Sequence, residues 1–204
     1  MKFTKEILLE VVRKAVENAG QLVDEAKLLK EHKRFARAFT LYQLSIEEIG
    51  KASMTFGFLL FGNIEDEAEQ SAFLKEFRDH KTKTKRATGI DLNIARTIDN
   101  RELSKTLILN VIKQQGEINK INDYKNYSLY TSFVDDAVYM PSEFINQQLV
   151  EELGFYAEIR FEASSQYYEI AIRNFDELVK AKGSMDLDKI LRDDEEFMKD
   201  MMGE

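Results

Sequence analysis

Apolar residues at Leu8, Val11, Ala15, Ala19, Leu22, Ala26 and Leu29 recur every three or four positions, the spacing that lines one face of a helix. The pattern predicts a first helix over 4–31. A second stripe, Phe39, Tyr42, Ile46, Ile49, Ser53, Phe56 and Leu60, predicts a helix over 35–60, closed by Gly62-Asn63. A third helix is expected over 65–87, ending near Gly89. A fourth is expected over 101–122, with Leu107, Val111, Ile118 and Ile121 on one face. Residues 123–140 are rich in tyrosine and short on periodicity, and read as a loop with room for one turn of helix. Pro141 suits the first turn of a helix, where its missing N–H costs nothing. From there Leu149, Leu153, Tyr156, Ser164, Tyr168, Ala171, Phe175 and Leu178 trace a long helix to about residue 182. Gly183-Ser184 breaks it. Residues 186–202 form an acidic amphipathic tail carrying Leu187, Leu191, Phe197, Met198 and Met201.

No strand-like alternation of useful length interrupts this series. Short connections imply antiparallel neighbours, so the expected architecture is all-α: an up-and-down helical bundle over 1–182 and a short helical tail over 183–204. The tail has two places to go, back onto the bundle or onto another subunit.

Composition adds limits. Of 204 residues, 44% are hydrophobic and 32% charged, enough for a packed core under a solvated surface. Nine glycines and one proline are little punctuation for this length, which favours long helices. Cysteine is absent, so disulfides, thiolate metal sites and cysteine nucleophiles are excluded. No run approaches the roughly 20 apolar residues that span a bilayer, and the first ten residues carry Lys2, Lys5 and Glu6 instead of the apolar core of a signal peptide. A cytoplasmic location off the membrane is expected. A net charge of −8 argues against a sequence-independent DNA coater but leaves room for a local basic patch that contacts RNA.

Three constellations could carry chemistry. In Leu44-Ser45-Ile46-Glu47-Glu48-Ile49-Gly50-Lys51-Ala52, Glu47 and Lys51 stand one turn apart, as in an ordinary i,i+4 ion pair. Gly50 costs about 1 kcal/mol inside a helix, which points to close approach of another chain segment. In the second, 75–86, six Lys/Arg face two Asp/Glu. This is either a solvated helix face or a site in which His80 moves protons and Arg78, Lys81 and Lys83 hold phosphates. In the third, Lys125-Asn126-Tyr127-Ser128-Leu129-Tyr130, a cation, an amide and a phenol gather where two helices join; the tyrosines could equally cap the bundle. No cofactor or metal is expected: His32 and His80 fall on different predicted helices, no Glu-x-x-His spacing occurs, and no Gly-x-x-x-x-Gly-Lys loop is present. His32 is placed at a helix end, without a catalytic part.

In this order, Tyr42 to Ala52, then Phe77-Arg-Asp-His-Lys-Thr-Lys83, then Lys125 to Tyr130, the three segments resemble the AbiV family of bacterial abortive-infection proteins, a branch of the HEPN superfamily. The resemblance implies a HEPN-like helical bundle, a homodimer, and in many members a metal-independent endoribonuclease used against phage. It further implies an active motif of arginine, four to six residues, then histidine, here matched by Lys125, Asn126 and Tyr130. Lysine keeps the charge of arginine but loses its bidentate fork. Tyrosine, with a pKa near 10, is a poor base at neutral pH, so His80 would have to supply the imidazole.

The expected chemistry is attack of the RNA 2′-hydroxyl on its own phosphate. Lys125 and Lys81 would stabilise charge, Asn126 would position the phosphate, His80 or Tyr130 would move protons, and Glu47 and Lys51, with Arg78, Lys81 and Lys83, would help bind the substrate. The competing expectation is a protein without catalysis that recognises a phage protein and blocks translation by occupancy. A third is a structural helical oligomerisation module.

Overall fold

The computed structural model describes residues 3–183 and 187–203; the side chains at 187–191 and 202 lie outside that description, and with them the sequence-read positions Leu187 and Leu191. The elements run α1 (Lys5–Glu31), α2 (Phe35–Phe61), α3 (Glu67–Arg78), α4 (His80–Thr97), α5 (Arg101–Gly116), α6 (Ile118–Leu129), β1 (Ser132–Val134), β2 (Ala137–Tyr139), α7 (Pro141–Phe144), α8 (Gln147–Arg173), α9 (Phe175–Lys182) and α10 (Leu187–Met202). The chain is an all-α bundle carrying one two-stranded hairpin.

Helix α2 is the axis of the bundle. Its buried positions, from Ala36 to Leu59, are spread around most of the helix, and α1, α4, α6 and α8 all pack on it. Helix α1 is amphipathic by comparison and buries Leu8, Val12, Ala15, Ala19, Val23 and Ala26 against α2 and α8. Ser45 Oγ donates to the Ala19 carbonyl oxygen at 2.9 Å, stitching the two helices where their small residues meet. Helix α8 turns Val150, Gly154 and Ala157 inward. Leu149, Leu153 and Tyr156, one position off, sit at the edge of the core. The smaller face is the buried one because α2 approaches closely there.

Several boundaries differ from the sequence reading. The third helix is two: Asp79 leaves helical geometry (φ −79°, ψ 117°), and its carboxylate accepts the Thr82 N–H at 2.7 Å as the N-cap of α4. Helix α4 does not end near Gly89 but runs on to Thr97, since burial of Ala87, Ile90, Asp91 and Ala95 outweighs one helical glycine. The fourth helix breaks after Gly116 into α5 and α6. The segment 123–140 is not a loop: its first half is the C-terminal part of α6, and its second half is the hairpin. Asp135 and Asp136 take positive φ (48° and 64°), the two-residue turn that suits the strand twist. Strands of three residues are too short to show alternation in a sequence. The helix expected over 141–182 is divided into α7, α8 and α9.

Helix α10 lies on the chain's own α4 and α5. Phe197, Met198 and Met201 pack with Ala95, Leu107 and Ile108, and Arg96 pairs with Asp194 at 2.5 Å. Among the described residues, no helix is long and apolar enough to cross a membrane.

Candidate functional site

Gly50 sets the geometry of the site. A Cβ built there would lie 2.6 Å from the Lys83 carbonyl carbon and 2.9 Å from its Cα, and closer still to its oxygen. Only a residue without a side chain lets the α4 backbone touch α2 at this point. The contact carries His80 and Lys83, on the first turn of α4, over Glu47, one turn before Gly50 on α2. Helix α6 arrives from the other side. Ser128 and Thr40 share a hydrogen bond of 2.7 Å, and Arg37 Nη1 donates to the Leu129 carbonyl at 3.2 Å, which fixes the end of α6 against α2.

The result is a carboxylate ringed by bases. Glu47, with 3% of its side chain exposed, accepts from Lys125 Nζ at 2.8 Å on Oε1 and meets His80 Nδ1 at 2.5 Å on Oε2. Lys83 Nζ stands 3.3 Å from the same Oε2. Burial pushes the Glu47 carboxyl up, but hydrogen bonds from Lys125 and His80 and their charges outweigh it, and the group is held below the ordinary carboxylate value. It is therefore an anion at neutral pH, and an anion accepts hydrogen. The network thus assigns the proton to His80 Nδ1 and leaves the Nε2 lone pair free in the neutral ring. Lys83 Nζ lies 3.4 Å from Nδ1, which is then an approach of two donors. The His80 side chain is 55% exposed, and Nε2 has no hydrogen-bond partner among the described residues. Two buried ammonium groups face one carboxylate, so one positive charge is left over beneath an exposed imidazole.

The structure thus brings together Glu47, His80, Lys83 and Lys125, from three helices. It does not bring in the rest. Lys51 pairs with Glu48 and lies over the Phe77 ring, so the expected Glu47–Lys51 pair does not form. Lys83 and Lys125 are buried against Glu47 and not held out toward solvent. Arg78 and Lys81 are exposed beside His80 in sequence, and Asn126 is exposed on α6. Tyr130, 64% exposed, is the C-cap of α6, and its phenol makes no hydrogen bond among the described residues. His32 is the exposed C-cap residue of α1.

A second polar cluster was not anticipated. Arg160, fully buried on α8, grips Asp91 of α4 through Nε at 2.7 Å and Nη2 at 2.6 Å, and its Nη2 also donates to Gln114 Oε1 of α5 at 2.9 Å. Asn110 Nδ2 donates to Asp91 at 3.2 Å. One signal existed: Arg160 falls three residues after Ala157 and four before Ser164, on the buried stripe, where an arginine needs a partner.

An all-α bundle with a basic, histidine-bearing cluster built across α2, α4 and α6 is the class of protein defined here. Residues 7–160, about three quarters of the chain, match the HEPN-superfamily AbiV family, and the chain belongs to that family of abortive-infection proteins. Neither a curated protein nor a solved structure gives a significant match.

Proposed function

We propose that this protein is an abortive-infection effector that cleaves RNA without a metal ion, with His80 as the group that takes the proton. The observation that carries this reading is the 2.5 Å contact of His80 Nδ1 with the buried Glu47 carboxylate. A carboxylate behind Nδ1 orients the ring and stabilises the imidazolium that forms when Nε2 accepts a proton. Nε2 removes the proton from a ribose 2′-hydroxyl. The oxygen attacks the adjacent phosphorus, a 2′,3′-cyclic phosphate forms, and the 5′-oxygen leaves and takes its proton from solvent. Lys81 and the surplus charge of Lys83 and Lys125 favour the phosphate and the charge that develops on it. Lys125 therefore acts mainly through Glu47, while Arg78 and Asn126 offer exposed contacts to RNA. The protein acts in the cytoplasm as a homodimer, switched on by a phage component.

The test incubates the purified protein with single-stranded RNA, alone and with extract of infected cells, and reads the product ends. Cyclic phosphate ends are expected, reduced at least about a hundredfold in His80→Ala, the usual scale of a lost general base. Tyr130→Phe is expected to retain cleavage. RNA left intact under every condition overturns the reading.

One observation favours recognition without catalysis. Tyr130, Phe133, Val138 and Met140 are 64%, 83%, 57% and 58% exposed around the hairpin, an apolar surface of the kind that meets a partner protein. On this reading the effector binds a phage protein and blocks translation by occupancy. A phage protein recovered in stoichiometric amount from infected cells, with no cleavage product, selects it.

A further inference from the structure

Between α5, α6 and α8 lies a cavity of about 170 Å³ that the chemistry above does not use. Its size is near the ~150 Å³ of an apolar cavity known to hold one benzene ring, too small for a whole nucleotide but right for a compact ring system. Phe39, Tyr124 and Tyr156 supply aromatic walls. Asn110 and Gln114, each over nine-tenths buried, also line it.

These two amides are fixed by the Arg160–Asp91 network. Asn110 Nδ2 gives one hydrogen to Asp91, and Gln114 Nε2 gives one to Asn110 Oδ1 at 3.2 Å. Arg160 holds Gln114 Oε1, which sets the direction of that amide. Among the described residues each amide nitrogen makes that one hydrogen bond, and with two hydrogens it keeps a second donor. Charge at the entrance cancels: Lys113 pairs with Glu152 at 3.1 Å and Lys120 with Glu117 at 3.8 Å. A purely apolar guest would leave the donors unanswered, and a charged guest would find no net counter-charge. A flat, neutral ring with two neighbouring acceptors answers both.

We propose that this cavity is a nucleobase pocket, selective for guanine, whose O6 and N7 acceptors take the spare Asn110 and Gln114 hydrogens while the ring packs against Tyr124 and Tyr156. Guanine presents two adjacent acceptors on that edge, where adenine presents an acceptor and a donor. The sugar, free or within RNA, extends past Lys113 and Glu152. The pocket stands apart from the His80 cluster: Phe39 lies eight residues before Glu47 on α2, a rise of about 12 Å.

Calorimetric titration with guanosine, adenosine, cytidine and uridine tests it. A parallel arm uses two 2′-O-methylated pentanucleotides, one with a single guanine and one without, which cannot undergo 2′-hydroxyl attack. Guanosine is expected to bind at least about tenfold tighter than adenosine. If only the guanine-bearing oligonucleotide binds, the base is taken from RNA, and the pocket is equally supported. Tyr124→Ala should weaken binding about tenfold or more. Ile121→Phe, which fills the cavity without deleting a core contact, should abolish it; thermal melts confirm that both variants fold. No binding of any probe, equal binding of all four nucleosides, or binding that neither variant alters overturns the proposal. Because the readout is binding, its failure is separable from failure of RNA cleavage.

Discussion

At the scale of single residues, Glu47 decides the most. It accepts from Lys125 and meets His80, with Lys83 paired beside them. Although burial raises its carboxyl, the hydrogen bonds and charges of Lys125 and His80 hold the folded-state pKa below the ordinary value. A depressed carboxyl contributes stability that is present above its unfolded value and lost as pH falls through the folded one. Wild-type protein should therefore lose stability below about pH 4.5, the ordinary value of the group, and Glu47→Gln should lose less over that window. At pH 7 Glu47→Gln leaves Lys83 and Lys125 buried without a counter-charge, so it should cost about 3–5 kcal/mol. Urea melts of both proteins between pH 3 and pH 7 read both effects. Equal stability at pH 7 would mean that the ammonium groups are not held by Glu47. Little of this was legible beforehand. Glu47 and His80 were picked out separately, but the sequence pairs Glu47 with Lys51 by helical spacing, and nothing local to either residue says that α4 and α6 converge on it.

At the scale of elements, two glycines in helices have opposite consequences. Gly50 touches the Lys83 backbone, whereas a Cβ at Gly89 meets nothing within 4 Å. Gly50→Ala must push α4 away from α2 and should destabilise by about 1–3 kcal/mol or more, as overpacking does. It should also loosen the His80–Glu47 contact. Gly89→Ala should stabilise by about 0.5–1 kcal/mol, through helix propensity alone. Thermal melts separate them, and two shifts of the same sign would refute the assignment. The energetic oddity of Gly50 was visible in the sequence, as a helix interior that tolerates glycine for a packing reason. Gly89 was misread as a stop because propensity is a weak local term, and the burial of Ala87, Ile90 and Ala95 that overrides it is a tertiary fact. The Asp79 and Gly116 breaks were lost for a related reason. A single cap residue divides two helices without any change in the apolar period on either side.

At the scale of the whole molecule, the helical class and the order of most helices followed from apolar periodicity, while the connection of distant parts rests on polar residues that periodicity ignores. Arg160, Asp91, Asn110 and Gln114 join α8, α4 and α5 in one buried network, with Arg160 and Asp91 fully buried and Arg160 Nη1 without a partner among the described residues. The same α4 carries His80, so the network anchors the far end of the helix that presents the candidate site. Removing one charge strands the other. Arg160→Met and Asp91→Leu should each cost about 3–5 kcal/mol. The double variant removes both desolvation penalties and should be less destabilised than the sum by about 1–3 kcal/mol, the coupling of residues within one network. A double-mutant cycle from urea melts measures this directly. Additive costs would mean that the two charges are tolerated independently, and that α4 is positioned by its apolar face and by Gly50 alone.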